Sequence, residues 1–351
     1  MTATLQTTNI QNATSSTTNL ALDTSGNVTV GSSLTAANNI TATSGTVVMA
    51  SSFLRNRIIN GGMQIWQRGT SFSSGYTADR WFIGYGTSPT FSQSTDVPST
   101  GGFQYSMSVS GSGQPTLAQR IESLNCKDLG GATVTISFWA KLTSGSGNLY
   151  AFLVYPSAAD NYTTTTTSSN YSFTPTSSWA YYTITIPSIS SNAVNGLGLS
   201  ITSVSTSSIT FLITGVQLEV GSVATPFERR QYGQELALSQ RYYEKTYDIT
   251  TAPGTVTNNG ILSMMSFASK TIRTVWKFAV SKRTAPSITF YNPNNGSTTN
   301  PFRDFDSSTN YNGGTDAIGT DNVTASWYYA AGGGNTNGEW GGVHITASAE
   351  L

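Results

Sequence analysis

The chain has 351 residues, with 17 basic and 17 acidic side chains, so its net charge is zero; only 10% of its residues are charged, against 37% apolar. Zero net charge without a basic stripe excludes a nucleic-acid footprint, no apolar run reaches the length of a membrane-spanning helix, and the single cysteine, Cys126, excludes an intrachain disulfide and a thiolate metal cluster. Ordinary domains carry about 25% charged residues, so Ser, Thr, Asn and Gly must keep this surface wet. The 17 Tyr, 15 Phe and 7 Trp can fill a core, and with the many Thr, Val and Ile they favour strands over helices.

In chain order, residues 1–52 stand apart. Asp23 is their one charged side chain, and they contain no aromatic residue and no proline. Asn27-Val28-Thr29-Val30-Gly31 and Asn39-Ile40-Thr41-Ala42 alternate apolar and polar residues, which predicts short strands. Such strands carry too little apolar surface to form a core alone. They make sense as an anchor or stalk in which three chains wrap together and cover one another's edges; a flexible tail is the alternative.

Residues 53–230 read as a β-sandwich, with a jelly roll as first choice. Tyr76–Ile83 leads into a strand, and Ala132–Ala140, Tyr181–Ile186 and Ile209–Thr214 alternate in the same way. Residues 231–246 break this pattern: Tyr232, Leu236, Gln240 and Tyr243 fall near one face of a short amphipathic connecting helix. Residues 247–351 return to strands at Thr271–Phe278, Pro286–Tyr291, Ala325–Tyr329 and Gly342–Ala347, separated by long Gly/Asn/Asp loops, and read as a second β domain at the tip of the molecule.

Two long segments carry a resemblance. One is Arg57-Ile58-Ile59-Asn60-Gly61-Gly62-Met63-Gln64-Ile65-Trp66-Gln67-Arg68-Gly69-Thr70 with Tyr76-Thr77-Ala78-Asp79-Arg80-Trp81. The other runs from Gly215 through Gln217, Glu219, Pro226-Phe227-Glu228-Arg229-Arg230 to Arg241-Tyr242-Tyr243. Together with Ser137-Phe138-Trp139-Ala140-Lys141 they resemble the bookends of a domain family found in phage and prophage tail-fibre and minor tail proteins, whose domains look like carbohydrate-binding jelly rolls. Gly26–Gly31 is similar to fibre stalk repeats, and Ala347–Leu351 to the end of fibre C-terminal domains. The resemblance implies a virion protein on a tail fibre or particle surface. Its partners would be two further copies of itself, other tail or capsid proteins through residues 1–52, and a host-surface glycan, with no nucleic acid and no membrane insertion. Arg68, Arg80, Glu219, Glu228 and Arg229, lying in the bookends of a charge-poor chain, are expected to pair at the seam between first and last strands in a structural role.

Nothing in the sequence assembles an active site. His344 and Cys126 fall in different predicted domains, no nucleophile elbow or phosphate-binding loop occurs, and no metal-ligand spacing is present; no cofactor is expected. Asp304, Asp306, Asp316, Asp321 and Glu339 are the acids a glycan-cleaving spike would use, and they read instead as turn residues. A sugar-binding surface needs exposed rings beside amide and hydroxyl groups. The region holding Phe302, Phe305, Tyr311, Trp327, Tyr328, Tyr329 and Trp340 has both, and these rings are the expected glycan contacts. The expected function is host-surface recognition; a structural or capsid-decorating component without a receptor is the alternative, and a cleaving tailspike a third.

Overall fold

The computed structural model describes residues 9–10, 20–22, 28–30, 55–265, 272–327 and 340–351. The chain divides into two units, Met1–Ser52 and Phe53–Leu351. In the first, β1 (Asn9–Ile10), β2 (Leu20–Leu22) and β3 (Val28–Val30) pair antiparallel, with Asn9 opposite Ala21 and Leu20 opposite Val30. The predicted strand at 27–31 contains β3; that at 39–42 lies outside the described residues.

The second unit is mainly β, as expected. Its strands begin with β4 (Ser71–Phe72), β5 (Trp81–Ser94) and β6 (Ser106–Ile121). They continue with β7 (Val134–Ser144), β8 (Leu149–Ala158), β9 (Asn161–Thr167), β10 (Tyr171–Phe173) and β11 (Ala180–Ile186), and then β12 (Leu197–Ser203) and β13 (Ile209–Val220). The long β5–β6 ribbon belongs to two layers. Residues 107–111 of β6 pair with β13, which leads to β7 and β11. Residues 116–121 pair with β12, which leads to β8 and then to β9 and β10. The changeover needs a sharp bend. Gly113 supplies it at φ +59°, where an added Cβ would lie 2.6 Å from the Thr87 hydroxyl, and Gln114 follows at φ +67°.

Period-two alternation sends Leu117, Leu149, Ala151, Leu153, Leu199 and Ile201 inward from one layer, and Met107, Val109, Ile136, Phe138, Phe211 and Ile213 from the other. Each large side chain so buried contributes about 1.5–3 kcal/mol. The sandwich therefore has its own aliphatic core, and Cys126 lies inside it with its thiol pushed up to about 12 by burial.

The two bookend segments meet along an edge of this sandwich. Arg57 N donates to Leu218 O at 2.9 Å and Val216 N to Gly61 O at 3.0 Å, while the Gln119 side chain brackets the Ile59 backbone, accepting from its N–H at 2.9 Å and donating to its carbonyl at 2.8 Å. The charges there pair differently from expectation. Arg68 lies 3.4 Å from Asp79 but 2.9 Å from Glu350, and fully buried Arg80 pairs with Glu350 as well. Glu219 faces Arg55 at 3.8 Å, and Glu228 accepts from Asn56 N at 2.7 Å. Arg229 donates to Gly101 O and stands 5.2 Å over the Phe103 ring. Much of the bookend charge is thus answered from residues far along the chain, because the sheet layering, not sequence proximity, decides which carboxylate reaches a buried guanidinium.

The connecting helix is shorter than 231–246. α1 covers Tyr232–Gln240, and Tyr243–Lys245 forms β14. The predicted apolar stripe is not the packed face: Glu235 and Ser239 point inward and Tyr232 is half exposed. The Glu235 carboxylate accepts from Asn60 N and faces Arg230 at 3.4 Å, so hydrogen bonds to the first bookend hold the helix in place. The helix ends because β14 finds a ladder, with Tyr243 opposite Ser348 and Lys245 opposite Thr346.

The remaining strands are β15 (Leu262–Met265), β16 (Ile272–Lys277), β17 (Ser287–Tyr291), β18 (Phe302–Asp304) and β19 (Asn310–Tyr311), then β20 (Gly313–Ile318), β21 (Asn322–Trp327) and β22 (Trp340–Ser348). β22 is the spine, pairing with β14, β15, β17 and β18, while β16, β21 and β20 form a three-stranded sheet beside it. Phe302, Trp327, Val343 and Ile345 make a separate small core.

Candidate functional site

The outer face of the β9–β8–β12–β6–β5 layer carries a groove of about 540 Å³, within the range of ligand sites. It is built from cross-strand rows. Residues directly opposite in antiparallel strands share a face. One row is Phe152, Ser200, Ala118, Phe82; the next is Tyr150, Thr202, Thr116, Tyr85. Each row has an aromatic ring at both ends and two small residues between. The rings form walls on β8 and β5, three strand spacings or roughly 14 Å apart, and the small residues form the floor. Behind them a third row, Thr167, Val154, Gly198, Arg120, closes the set. Gly198 has to be glycine here, since a Cβ would approach that of Val154 to 2.9 Å.

Two local devices shape the walls. On β8, Leu149, Ala151 and Leu153 already face the core, so Tyr150, Phe152 and Val154 are a second apolar set turned outward. On β5, Ile83 opposes Leu117 but Tyr85, not Gly84, opposes Thr116. This one-residue slip is a bulge, and it turns Tyr85 to the groove where strict alternation would send it inward; its side chain is 65% exposed. The floor is lined with hydroxyls: Thr116 Oγ1 lies 2.7 Å from Thr202 Oγ1, and both hydroxyls lie within hydrogen-bonding distance of Gln114 O, at 2.9 and 3.3 Å. Thr165, Thr167 and Asn170 add exposed polar groups along the β8–β9 side. Among the described residues that line the groove, Arg120 is the sole charged one and none is a carboxylate. Its guanidinium lies 5.0 Å from the Phe82 ring and 4.6 Å from that of Tyr162, and donates to Leu351 O at 2.6 Å. Burial raises the Tyr162 hydroxyl above its ordinary pKa, so it stays a donor, to Ile121 O at 3.1 Å.

Such a surface can stack flat apolar sugar faces on its rings and meet hydroxyls with hydroxyls and amides. The glycan contacts expected from the sequence lie elsewhere. Phe302 and Trp327 are fully buried, edge to face at 5.2 Å, and are core residues rather than surface contacts. Tyr311 is half-buried against that core. Phe305 and Trp340 stack at 4.2 Å, with Trp340 40% exposed, and form a small ring surface of their own. Tyr328 and Tyr329 lie outside the described residues. The signal that finds the groove is the outward-facing Tyr150–Phe152–Val154 set opposite the small Gly198, Ser200 and Thr202: an antiparallel sheet with a solvated face should be polar there.

The titratable groups elsewhere are occupied structurally. Asp304 is buried and accepts from the N–H groups of Asp306 and Ser307 at 2.9 and 3.1 Å, a turn of the expected kind. Asp306 accepts from Trp340 N at 2.5 Å, and Asp321 from the Ser281 hydroxyl. The Ser326 hydroxyl, and then Arg273, hold the Asp316 carboxyl below its usual value. Glu339 lies outside the described residues. His344 is buried against Tyr247, ring centroids 3.7 Å apart; its Nε2 donates to Thr257 O at 2.9 Å and burial lowers its pKa, so it is neutral and in the second core, away from Cys126. No cluster of metal-ligating side chains occurs among the described residues.

Fold and site together define a β-sandwich with an aromatic, hydroxyl-lined groove on one face. No family model and no curated protein sequence matches the chain. Among solved structures it is similar to the enzymatically active domain of tailspike protein 4 from bacteriophage CBA120, at 17% identity and TM-score 0.35, with 47% of this chain and 21% of that chain covered. It is also similar to the CBM22-2 xylan-binding domain of Paenibacillus barcinonensis Xyn10C, at 16% identity and TM-score 0.32, covering 43% and 98%. A third is the family 11 carbohydrate-binding module of Clostridium thermocellum, solved with a mixed-linked tetrasaccharide, at 14% identity and TM-score 0.31, covering 44% and 97%.

Proposed function

We propose that this protein is a glycan-binding virion component, a phage fibre or particle-surface protein that attaches to a host-surface carbohydrate through the groove between β8 and β5. The observation that carries the binding role is the pair of rows Phe152–Ser200–Ala118–Phe82 and Tyr150–Thr202–Thr116–Tyr85. Opposed rings over a floor of small side chains and hydroxyls suit a saccharide, and rings half-buried or exposed on a solvated sheet face are the kind of apolar surface that marks a binding site. The virion role rests on the bookend resemblance; the mutual hydrogen bonding of those two segments supports reading them as one structural unit.

The direct test is titration of the full chain against host-surface glycans, comparing Tyr85→Ala, Tyr150→Ala and Phe152→Ala. Each should weaken binding by about tenfold, about 1.4 kcal/mol. Unchanged affinity in all three would remove the groove as the site. Immunogold location of the protein on intact particles tests the virion role; a particle lacking it refutes that role.

A further inference from the structure

Resting on the reading of the groove as a glycan site, we propose that Leu351 is a positioning residue of that groove: its main-chain oxygen holds the two groups that flank the Phe82 wall ring. Phe82 ends the row Phe152–Ser200–Ala118–Phe82 and is half-buried. The Tyr76 ring lies 5.5 Å from it, brought there by a backbone bridge between the two residues. The Arg120 guanidinium lies 5.0 Å from it. Tyr76 and Arg120 come from different segments, yet both reach one acceptor. Tyr76 Oη donates to Leu351 O at 3.0 Å, and Arg120 Nη1 donates to the same oxygen at 2.6 Å. The guanidinium also meets the Tyr162 ring at 4.6 Å, so that acceptor fixes the cation between two lining rings.

The segment that carries this oxygen is anchored in turn. Ala349 N donates to Tyr242 O at 2.7 Å, Arg283 Nε donates to Ala349 O and Arg283 Nη2 to Glu350 O, each at 3.0 Å, and the Glu350 carboxylate meets Arg68 and Arg80. An acceptor fixed in this way can hold Tyr76 and Arg120 each in one rotamer, and they confine Phe82 from two sides. Stacking a sugar face on a ring needs the ring in place; a ring that must first be ordered gives back part of the binding free energy. Among the described residues, neither Tyr76 nor Leu351 lines the groove, so their effect on glycan affinity passes through the rings and the cation they hold. Docking of residues 349–351 on the sandwich is thereby linked to the shape of the groove wall.

The full chain and its variants are compared on an array of neutral tetrasaccharides in gluco, galacto, manno and xylo configuration, and by fluorine NMR with Phe82 replaced by para-fluorophenylalanine. Tyr76→Phe removes one donor but keeps the ring, and should weaken retention by about threefold; deleting Leu351 removes the acceptor of both donors, and should weaken it by about tenfold. Both changes should shift and broaden the fluorine line of the ligand-free protein. In a Phe82→Leu background, which itself weakens retention, Tyr76→Phe should have no further effect, because the ring through which it acts is gone. Unchanged retention in both variants, or an equal loss from Tyr76→Phe with and without Phe82, overturns the proposal. The fluorine line needs no ligand, so an unchanged line overturns it whatever the array retains. If Phe82→Leu weakens retention while Tyr76→Phe and the deletion do not, the groove stands and the positioning role falls; if Phe82→Leu leaves retention as it was, the reading of Phe82 as part of the glycan wall fails, and the proposal with it.

Discussion

Asn60 shows how much one side chain can organise. It sits in the left-handed region at φ +56°, a conformation that asparagine tolerates better than most residues. Its side-chain NH₂ donates to Ile65 O at 2.9 Å and Asp79 O at 3.1 Å, while its Oδ1 accepts from the N–H groups of Gln64 and Ile65 at 2.7 and 3.0 Å. Four bonds in a buried setting cannot be replaced by water. Asn60→Ala is expected to lower stability by about 3 kcal/mol or more, read as a shift in urea midpoint. His344 gives a pH prediction of definite sign. Its folded pKa lies below the unfolded value, so below about pH 6.5 the unfolded chain takes up a proton that the folded chain does not. Stability is complete above that pH and declines as pH falls toward the folded pKa. Thermal melts between pH 7 and 5 should show this decline, and His344→Gln should flatten it.

At the scale of elements, the seam between the sandwich and β22 depends on few charges. Arg80 is buried under the Tyr242 ring at 3.5 Å and Arg68 lies 3.6 Å over Tyr243, with Glu350 bridging both and Asp79 facing Arg68 at 3.4 Å. Removing one partner of a buried pair leaves the other charged and dry, at a penalty of about 3–5 kcal/mol. Glu350→Gln should therefore destabilise by that order, and replacing Arg80 in the same chain by Met should recover part of the loss, a double-mutant cycle read by denaturant titration. The β5 bulge is the corresponding element for function. Deleting Gly84 would remove the bulge and place Tyr85 directly after inward-facing Ile83, so Tyr85 would still face the groove opposite Thr116; ΔGly84 should therefore retain glycan binding, and a loss as large as that of Tyr85→Ala would show that the wall needs the bulge itself.

For the whole molecule, residues 53–351 form a compact unit by themselves, with the sandwich core and the smaller β22 core both inside it. A chain starting at Phe53 is expected to keep its melting temperature within about 4 °C, the shift that roughly 1 kcal/mol brings in a large domain, and to keep groove binding. If residues 1–52 carry the proposed trimer, that same truncation should reduce the mass in solution from three chains to one; a monomeric full chain would refute the trimer. Three grooves on one fibre would give avidity well beyond the single-site affinity.

Alternation alone made much of this architecture legible. Most of Ala132–Ala140, from Val134 on, and all of Tyr181–Ile186 and Ile209–Thr214 fall in strands because period two admits one inward face, and composition pointed to strands before any was placed. The ring cluster at 302–340 shows the limit: Phe302 and Trp340 look alike in sequence, yet one is fully buried and the other 40% exposed. The groove could not be read in advance because its walls come from β8 and β5, 70 residues apart at Phe152 and Phe82, and meet only when β12 and β6 are laid between them. Sequence by itself determined that the chain folds as β-layers with a polar, nearly uncharged surface, since side-chain period and composition are local quantities. Tertiary structure alone decided which rings face solvent, which carboxylate answers Arg80 and where Arg120 stands, because each depends on register between strands distant along the chain, and a slip of one residue, as at Gly84, reverses the outcome.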